Sequence, residues 1–266
     1  LPNSLTRAHF TSGGSESNES AIKLALHYQQ AIGQKRRTRI IGRSISYHGT
    51  TLATASISGH PKRKAGLEAA LPKFCEVETP YPLRCPMGRY HENAGEHYAN
   101  LLQEEIEFQG PDTVAAFLAE PITGTSGGAI VPPDEYWPRV REICDRYGVV
   151  LIMDEVMTGF GRTGSTFGYQ HWPIEPDILV GGKGLAGGYA PLGGVFATEK
   201  IGSAIENAGF QVMFTTFGAH PAACAAATEV LDIMQEEDLV ESAKVKGDYL
   251  LGRLKDSLAQ HPNLGE

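Results

Sequence analysis

Positive charge is scarce in this sequence. Of its 266 residues 23 are Lys or Arg against 31 Asp or Glu, a formal net charge of −8. Proteins that track phosphate backbones gather Lys and Arg into patches, so no nucleic-acid partner is expected. Long apolar runs are missing as well. The strongest, 149–153, is strand-sized, well short of the roughly 20 residues a membrane span needs, so no membrane partner is expected either. Nothing at the start reads as a secretory leader; because the chain opens on Leu1 rather than Met, its true start is expected upstream. Cysteine is sparse: Cys75, Cys85, Cys144 and Cys224 form no CxxC pair and no dense framework. The expectation is a cytoplasmic protein with free thiols rather than zinc ligands or disulfides.

What is present is an ordinary core composition, 41% hydrophobic, in a length that suits one large domain or two modest ones. Ala21, Leu24, Ala25, Tyr28 and Ile32 recur on one helical face, which predicts a helix over 17–32. Helices are also expected over 94–108 and 134–147, the second with Asp134 as N-cap and Gly148 as its stop. Strands are expected at 39–42, 74–77, 113–119, 149–153, 177–180 and 194–198. Apolar strands separated by helices indicate an α/β fold, a largely parallel sheet covered on both faces. From Pro221 the character changes to two long helices, 221–236 and 238–260, which leave the sheet. The expected division is a large domain over 1–220 and the start of a smaller one over 221–266.

Ligands of such sheets bind beyond the carboxyl ends of the strands, and unusual residues stand there. Glu120 closes one strand, Asp154 closes another and Lys183 follows a third. Ser12, Gly13, Gly14 and Ser15 precede the first helix, where free N–H groups and the helix dipole favour an anion. A phosphate cradle, a carboxylate and a lysine are thus expected around one crevice. Three other motifs match by letters only. Residues 182–187 fit GxGxxG, but Gly188, Pro191, Gly193 and Gly194 follow where a dinucleotide fingerprint needs a helix. Residues 124–128 fit GxSxG, but 129–133 cannot form the helix of a nucleophile elbow. His91, Glu92 and His97 lack the HExxH spacing and read as solvated loop residues.

Eight segments carry a resemblance, in this order: Phe10-Thr11-Ser12-Gly13-Gly14-Ser15-Glu16, Tyr47-His48-Gly49, Ala119-Glu120-Pro121-Ile122 and Asp154-Glu155-Val156-Met157-Thr158-Gly159-Phe160-Gly161-Arg162-Thr163-Gly164. They continue with Pro176-Asp177-Ile178, Gly182-Lys183-Gly184-Leu185, Gly188-Tyr189-Ala190-Pro191-Leu192-Gly193 and Thr215-Thr216-Phe217-Gly218. Together they resemble the class III (subgroup II) pyridoxal-phosphate-dependent aminotransferases, in particular ω-amino acid or amine:pyruvate transaminases. The resemblance implies the aspartate-aminotransferase-like fold (fold type I), with a mixed, mostly parallel sheet, helices on both faces and a smaller C-terminal domain. It implies pyridoxal 5'-phosphate as cofactor, an amine or amino acid and a 2-oxo acid as substrates, and a homodimer with shared active sites.

The resemblance also implies site roles. Lys183 is the catalytic Schiff-base lysine, and Asp154 pairs with the pyridine nitrogen. Val156 covers one face of the ring, by strand periodicity on the same side as Asp154, and Tyr47 covers the other beside His48. Gly13, Gly14 and Ser15 form the phosphate turn, Glu120 lines the pocket, and Thr216 reaches the phosphate of the neighbouring subunit. Read from the residues alone, Lys183 and Glu120 also fit surface positions, and Tyr47 and His48 fit packed core positions. Two departures stand out. Met157 replaces a Gln that many members use to hydrogen-bond the cofactor's phenolic oxygen, and thioether sulfur cannot donate. Thr125 replaces a Glu usual in enzymes acting on ornithine or 4-aminobutyrate, which disfavours those substrates. Family members extend before the phosphate turn and beyond Glu266, where the arginine gripping a substrate carboxylate is expected; this chain alone is therefore expected to be a poor catalyst. Within the family, an aminomutase or a decarboxylase is the alternative. Outside enzyme classes, the alternative is a non-catalytic anion-binding and dimerisation domain.

Overall fold

A computed structural model describes residues 1–211 and 214–261. Its strands are β1 (Leu5–Thr11), β2 (Arg39–Arg43), β3 (Cys75–Val77), β4 (Val114–Ala119), β5 (Val150–Asp154), β6 (Ile178–Gly181) and β7 (Gly193–Thr198). They form one sheet in the order β1-β7-β6-β5-β4-β2-β3. Strands β2 to β6 pair in parallel, whereas β7 runs against both β6 and β1. β1 consequently points the same way as the parallel set. The helices are α1 (Gly14–Ala31), α2 (Leu52–Ile57), α3 (Pro61–Lys64), α4 (Ala94–Gln109), α5 (Tyr136–Tyr147), α6 (Glu199–Asn207), α7 (Pro221–Glu236) and α8 (Leu239–Leu258).

The period of two along each strand builds a core on either side of the sheet. Ala116, Leu118, Val150, Ile152, Ile178 and Val180 pack with Ala21, Leu24 and Ala25 of α1. Phe117, Leu151, Met153 and Leu179 pack with Leu102 of α4 and Trp137 and Val140 of α5. Asp154 is in step with Val150 and Ile152, so it falls on the α1 side. This is the fold type I arrangement expected from the sequence, and the six expected strands lie within a residue or two of the observed ones.

The differences have physical causes. β1 was not expected: its segment LTRAHFT is buried only at Leu5 and Thr11, and an edge strand so polar has no apolar alternation to read. α1 begins at Gly14, three residues before the predicted start. Asp134 does not cap α5, which starts at Tyr136 behind a Pro133 turn closed by the Tyr136 N–H on the Pro133 carbonyl at 3.0 Å. Gly148, at φ 65°, does stop that helix. α6 was also not expected. His97 is not a loop residue but lies half-buried on α4, and no group of metal-ligating side chains occurs among the described residues.

Beyond Pro221, α7 buries Ala223 and Ala227 against Leu185, Ala186 and Leu192, while α8 buries no residue. Residues 262–266 of the expected second unit lie outside the described residues. No described helix is long and apolar enough to cross a membrane.

Candidate active site

Because β1 runs with the parallel strands, its carboxyl end reaches the same sheet edge as theirs. It delivers Gly13 and then the first turn of α1, whose leading N–H groups have no intrahelical partner. The next strand ends along that edge deliver the 44–51 loop after β2, Glu120 after β4, Asp154 at the end of β5, and Gly182-Lys183 after β6. Gly14, Ser15, Tyr47, His48, Glu120, Asp154, Val156 and Lys183 all line one cavity of about 200 Å³, together with Asn18, Gly49, Thr125 and Met157. Eight of the ten residues expected at the site are thus brought together. Gly13 stands just behind the turn, where its carbonyl accepts the Ser17 N–H at 3.0 Å. Thr216 is exposed and is not among the residues lining the cavity of its own chain.

Asp154 is only 2% exposed. Its Oδ2 accepts from Asn18 Nδ2 and from His48 Nδ1, both at 2.8 Å, and its Oδ1 accepts from Val156 N–H at 3.0 Å. That last bond corrects the reason given for Val156. The strand stops at Asp154, and a turn closed on the Asp154 carboxylate, not strand periodicity, brings Val156 to the cavity. His48 Nδ1 is thus spent on the carboxylate, and its Nε2 is buried without a partner.

Glu120 is buried rather than a surface carboxylate. Its Oε2 accepts from the Tyr47 N–H at 3.2 Å and its Oε1 from the Gly124 N–H at 3.0 Å, so one side chain ties two walls of the cavity. Burial, with Asp154 nearby, pushes its carboxyl above the ordinary range against the opposing pull of His48 and Arg43. Beneath it, the fully buried Arg43 donates to the Glu120 carbonyl at 2.6 Å and Trp137 Nε1 to the Pro121 carbonyl at 3.0 Å. These two donors pin the corner from which the carboxylate rises.

Lys183 occupies left-handed backbone, φ 41°, which a side chain rarely adopts. Its Nζ lies 3.7 Å from Met157 Sδ. A second cavity of about 410 Å³ continues past these two residues to Phe160, Tyr189 and Val230 of α7. Opposite, Gly49 at φ 140° brings the 44–51 loop onto the phosphate turn; a methyl there would meet Ser15 Oγ at 2.5 Å. Ser15 Oγ accepts the Thr50 N–H at 3.1 Å, leaving its own hydrogen to donate.

The two misleading glycine motifs resolve as expected. Residues 183–186 form a short 3-10 turn that leads into β7, with no α-helix between. Residues 124–128 form a tight turn bridged by Thr123 and Ile130. Asn18 escaped the sequence reading. A polar residue in the first turn of the predicted helix, beside its apolar face, was the available signal.

The residues present fit pyridoxal phosphate. The turn at Gly14 is bare, since a Cβ there would stand 2.9 Å from Val156 Cγ1, and it offers the N–H groups and hydroxyl that a phosphate requires. Asp154 keeps an acceptor position, and a primary amine shares the cavity. The fold and this edge are those of the fold type I class of pyridoxal-phosphate proteins. The profile of the class-III aminotransferases matches residues 1–266, and the chain belongs to that family. It is 37% identical to the putrescine–pyruvate aminotransferase of Pseudomonas aeruginosa over 265 residues, which span 100% of this chain and 58% of that protein. The (S)-enantioselective ω-transaminase of Thermomicrobium roseum superimposes with a TM-score of 0.94 at 42% identity, covering 100% of this chain and 59% of the other. The ω-transaminase of Pseudomonas jessenii in complex with PMP gives 0.95 at 35% identity, covering 100% and 59%. The chain thus spans a little under three-fifths of the length of these relatives.

Proposed function

We propose that the protein is a transaminase that moves an amino group from an ω-amino acid or amine to a 2-oxo acid such as pyruvate. The observation that carries this reading is the meeting of an anion-binding helix start, a buried carboxylate and a strained lysine around one cavity. Gly13, Gly14 and Ser15 hold the phosphate group, Asp154 faces the pyridine nitrogen, and Val156 and Tyr47 cover the two ring faces. His48 and Glu120 hold these groups in place through Asp154 Oδ2 and the Tyr47 N–H. Bound there, pyridoxal phosphate supplies an aldehyde to carry nitrogen and a protonated ring to accept electron density.

Lys183 Nζ is the group that takes a proton from the substrate carbon bearing the amine and later returns one. Its place directly after β6, at the head of the 183–186 turn, starts the amine at the cavity, and such positioning is worth several kcal/mol of barrier. Thr125 cannot pair with a guanidinium, which favours amines and other ω-amino acids over ornithine or 4-aminobutyrate. The pyruvate-using relative from P. aeruginosa supports pyruvate as the acceptor. The reading includes a cytoplasmic homodimer in which Thr216 of one copy completes the phosphate site of the other. It also takes residues 1–220 as the cofactor domain and 221–266 as the start of a second.

Borohydride reduction of the cofactor-loaded protein tests it directly. The visible absorption should bleach, and mass spectrometry should find the cofactor fixed to the peptide containing Lys183. Label on any other lysine overturns the assignment.

A further inference from the structure

Asn18 is 1% exposed and sits on α1, one turn beyond the phosphate turn at Gly14-Ser15. Its Nδ2 donates to Asp154 Oδ2 at 2.8 Å and to the main-chain carbonyl of His48 at 3.0 Å. One amide therefore joins the helix that begins at the phosphate turn, the loop that carries Tyr47 and His48, and the end of β5. A carboxylate has about four lone-pair sites. At Asp154 three are taken, by Asn18, His48 and the Val156 N–H, and the one left over is on Oδ1.

Helix formation does not account for an asparagine here. Asn is a poor residue for a helix interior, and Asn18 Oδ1 is buried without a partner, which is unfavourable in itself. An apolar residue would fill the volume without that penalty but would remove a donor from Asp154 and from the His48 carbonyl. An aspartate of the same shape would set two carboxylates against each other.

We propose that Asn18 is a positioning residue, which fixes the orientation of the Asp154 carboxylate relative to the phosphate turn on the same helix. The inference rests on the transaminase reading, in which phosphate and pyridine nitrogen are bound at these two places. A cofactor held at both ends binds well only if the spacing between the ends is set, and Asn18 ties them directly from the helix that bears the turn. It orients Oδ1 by holding Oδ2.

The test uses the cofactor-free protein and its Asn18→Ala and Asn18→Ser variants, with circular dichroism to establish that each folds. Dissociation constants are measured for pyridoxal phosphate and for inorganic phosphate, the latter by competition. The proposal expects pyridoxal phosphate to bind more weakly by on the order of tenfold, the size of one misplaced charge-assisted hydrogen bond. Inorganic phosphate should bind within about twofold of the unaltered protein, because the turn itself is untouched. Unchanged affinity for pyridoxal phosphate, or equal weakening of both ligands, overturns the proposal; the second result would make Asn18 a support of α1 only. Failure of the unaltered protein to bind pyridoxal phosphate would instead sink the transaminase reading, so the two failures are distinct.

Discussion

Glu155 is adjacent to Asp154 but serves the opposite side of the sheet. Its carboxylate is buried and accepts from Thr158 Oγ1, the Gly168 N–H and the Tyr169 N–H, which anchors the segment after β5. Burial raises its carboxyl to about 7, although those donors oppose the shift. A carboxyl raised in the folded state stabilises the fold below its unfolded value, and that contribution is lost as pH climbs through the folded value. The window is therefore about 4.5 to 7, and the change is on the order of 3 kcal/mol. Denaturant titrations of the protein and of Glu155→Gln should show the advantage of the native residue shrinking as pH rises from 5 to 8. A constant or growing advantage would refute the assignment. At this scale the sequence was informative about chemistry and silent about orientation. Lys183, Asp154 and Glu120 were legible because charged groups at apolar strand ends are unusual. Asn18 and Glu155 were not, because their meaning lies in partners from distant segments.

Among the elements, α1 shows how closely backbone and site are matched. A methyl at Gly14 would stand 2.9 Å from Val156 Cγ1 and 3.1 Å from Cγ2. Gly14→Ala is sterically allowed in the helix itself, so the folded state should survive with a change in thermal midpoint of a few degrees at most. Val156 would have to move, and with it the proposed cover of one ring face. Affinity for pyridoxal phosphate should fall by about tenfold or more, the equivalent of a displaced apolar contact plus a crowded turn. Equilibrium dialysis reads this, and unchanged affinity would mean that Val156 does not form that wall. The central strands were readable from their apolar runs, and α7 from its length. β1 was not, since it is held by main-chain pairing to β7 at an edge and carries polar side chains. The Asp134 cap failed because Pro133 already organises the turn, leaving no role for a side-chain cap.

For the whole molecule, the exposed surface bears on assembly. Tyr189 is 85% and Phe214 93% exposed, close in sequence to Lys183 and Thr216 respectively, and α8 buries nothing. Apolar surface of this kind is what an interface covers, and the proposed dimer is where it would be covered. Complementation decides it. Lys183→Ala and Thr216→Ala proteins, each deficient in retained cofactor, should recover retention when dissociated and reassembled together. One site of the mixed dimer then has an intact lysine from one chain and an intact threonine from the other. If Thr216 served its own chain, no mixed site would be whole and nothing would be recovered. The proposed division near Pro221 rests on a change of character in the sequence, whereas the proposed dimer rests on the resemblance alone. Another consequence follows from β1. Thr11 pairs with Gly193 and Leu5 with Thr198, so the strand that presents the phosphate turn finds its partner only across most of the chain. Closing so long a loop is entropically slow, and contacts of this range form late. The β1–β7 pairing is therefore a late requirement of the proposed cofactor site, because the turn at Gly14 is held in place only once β7 has joined the sheet.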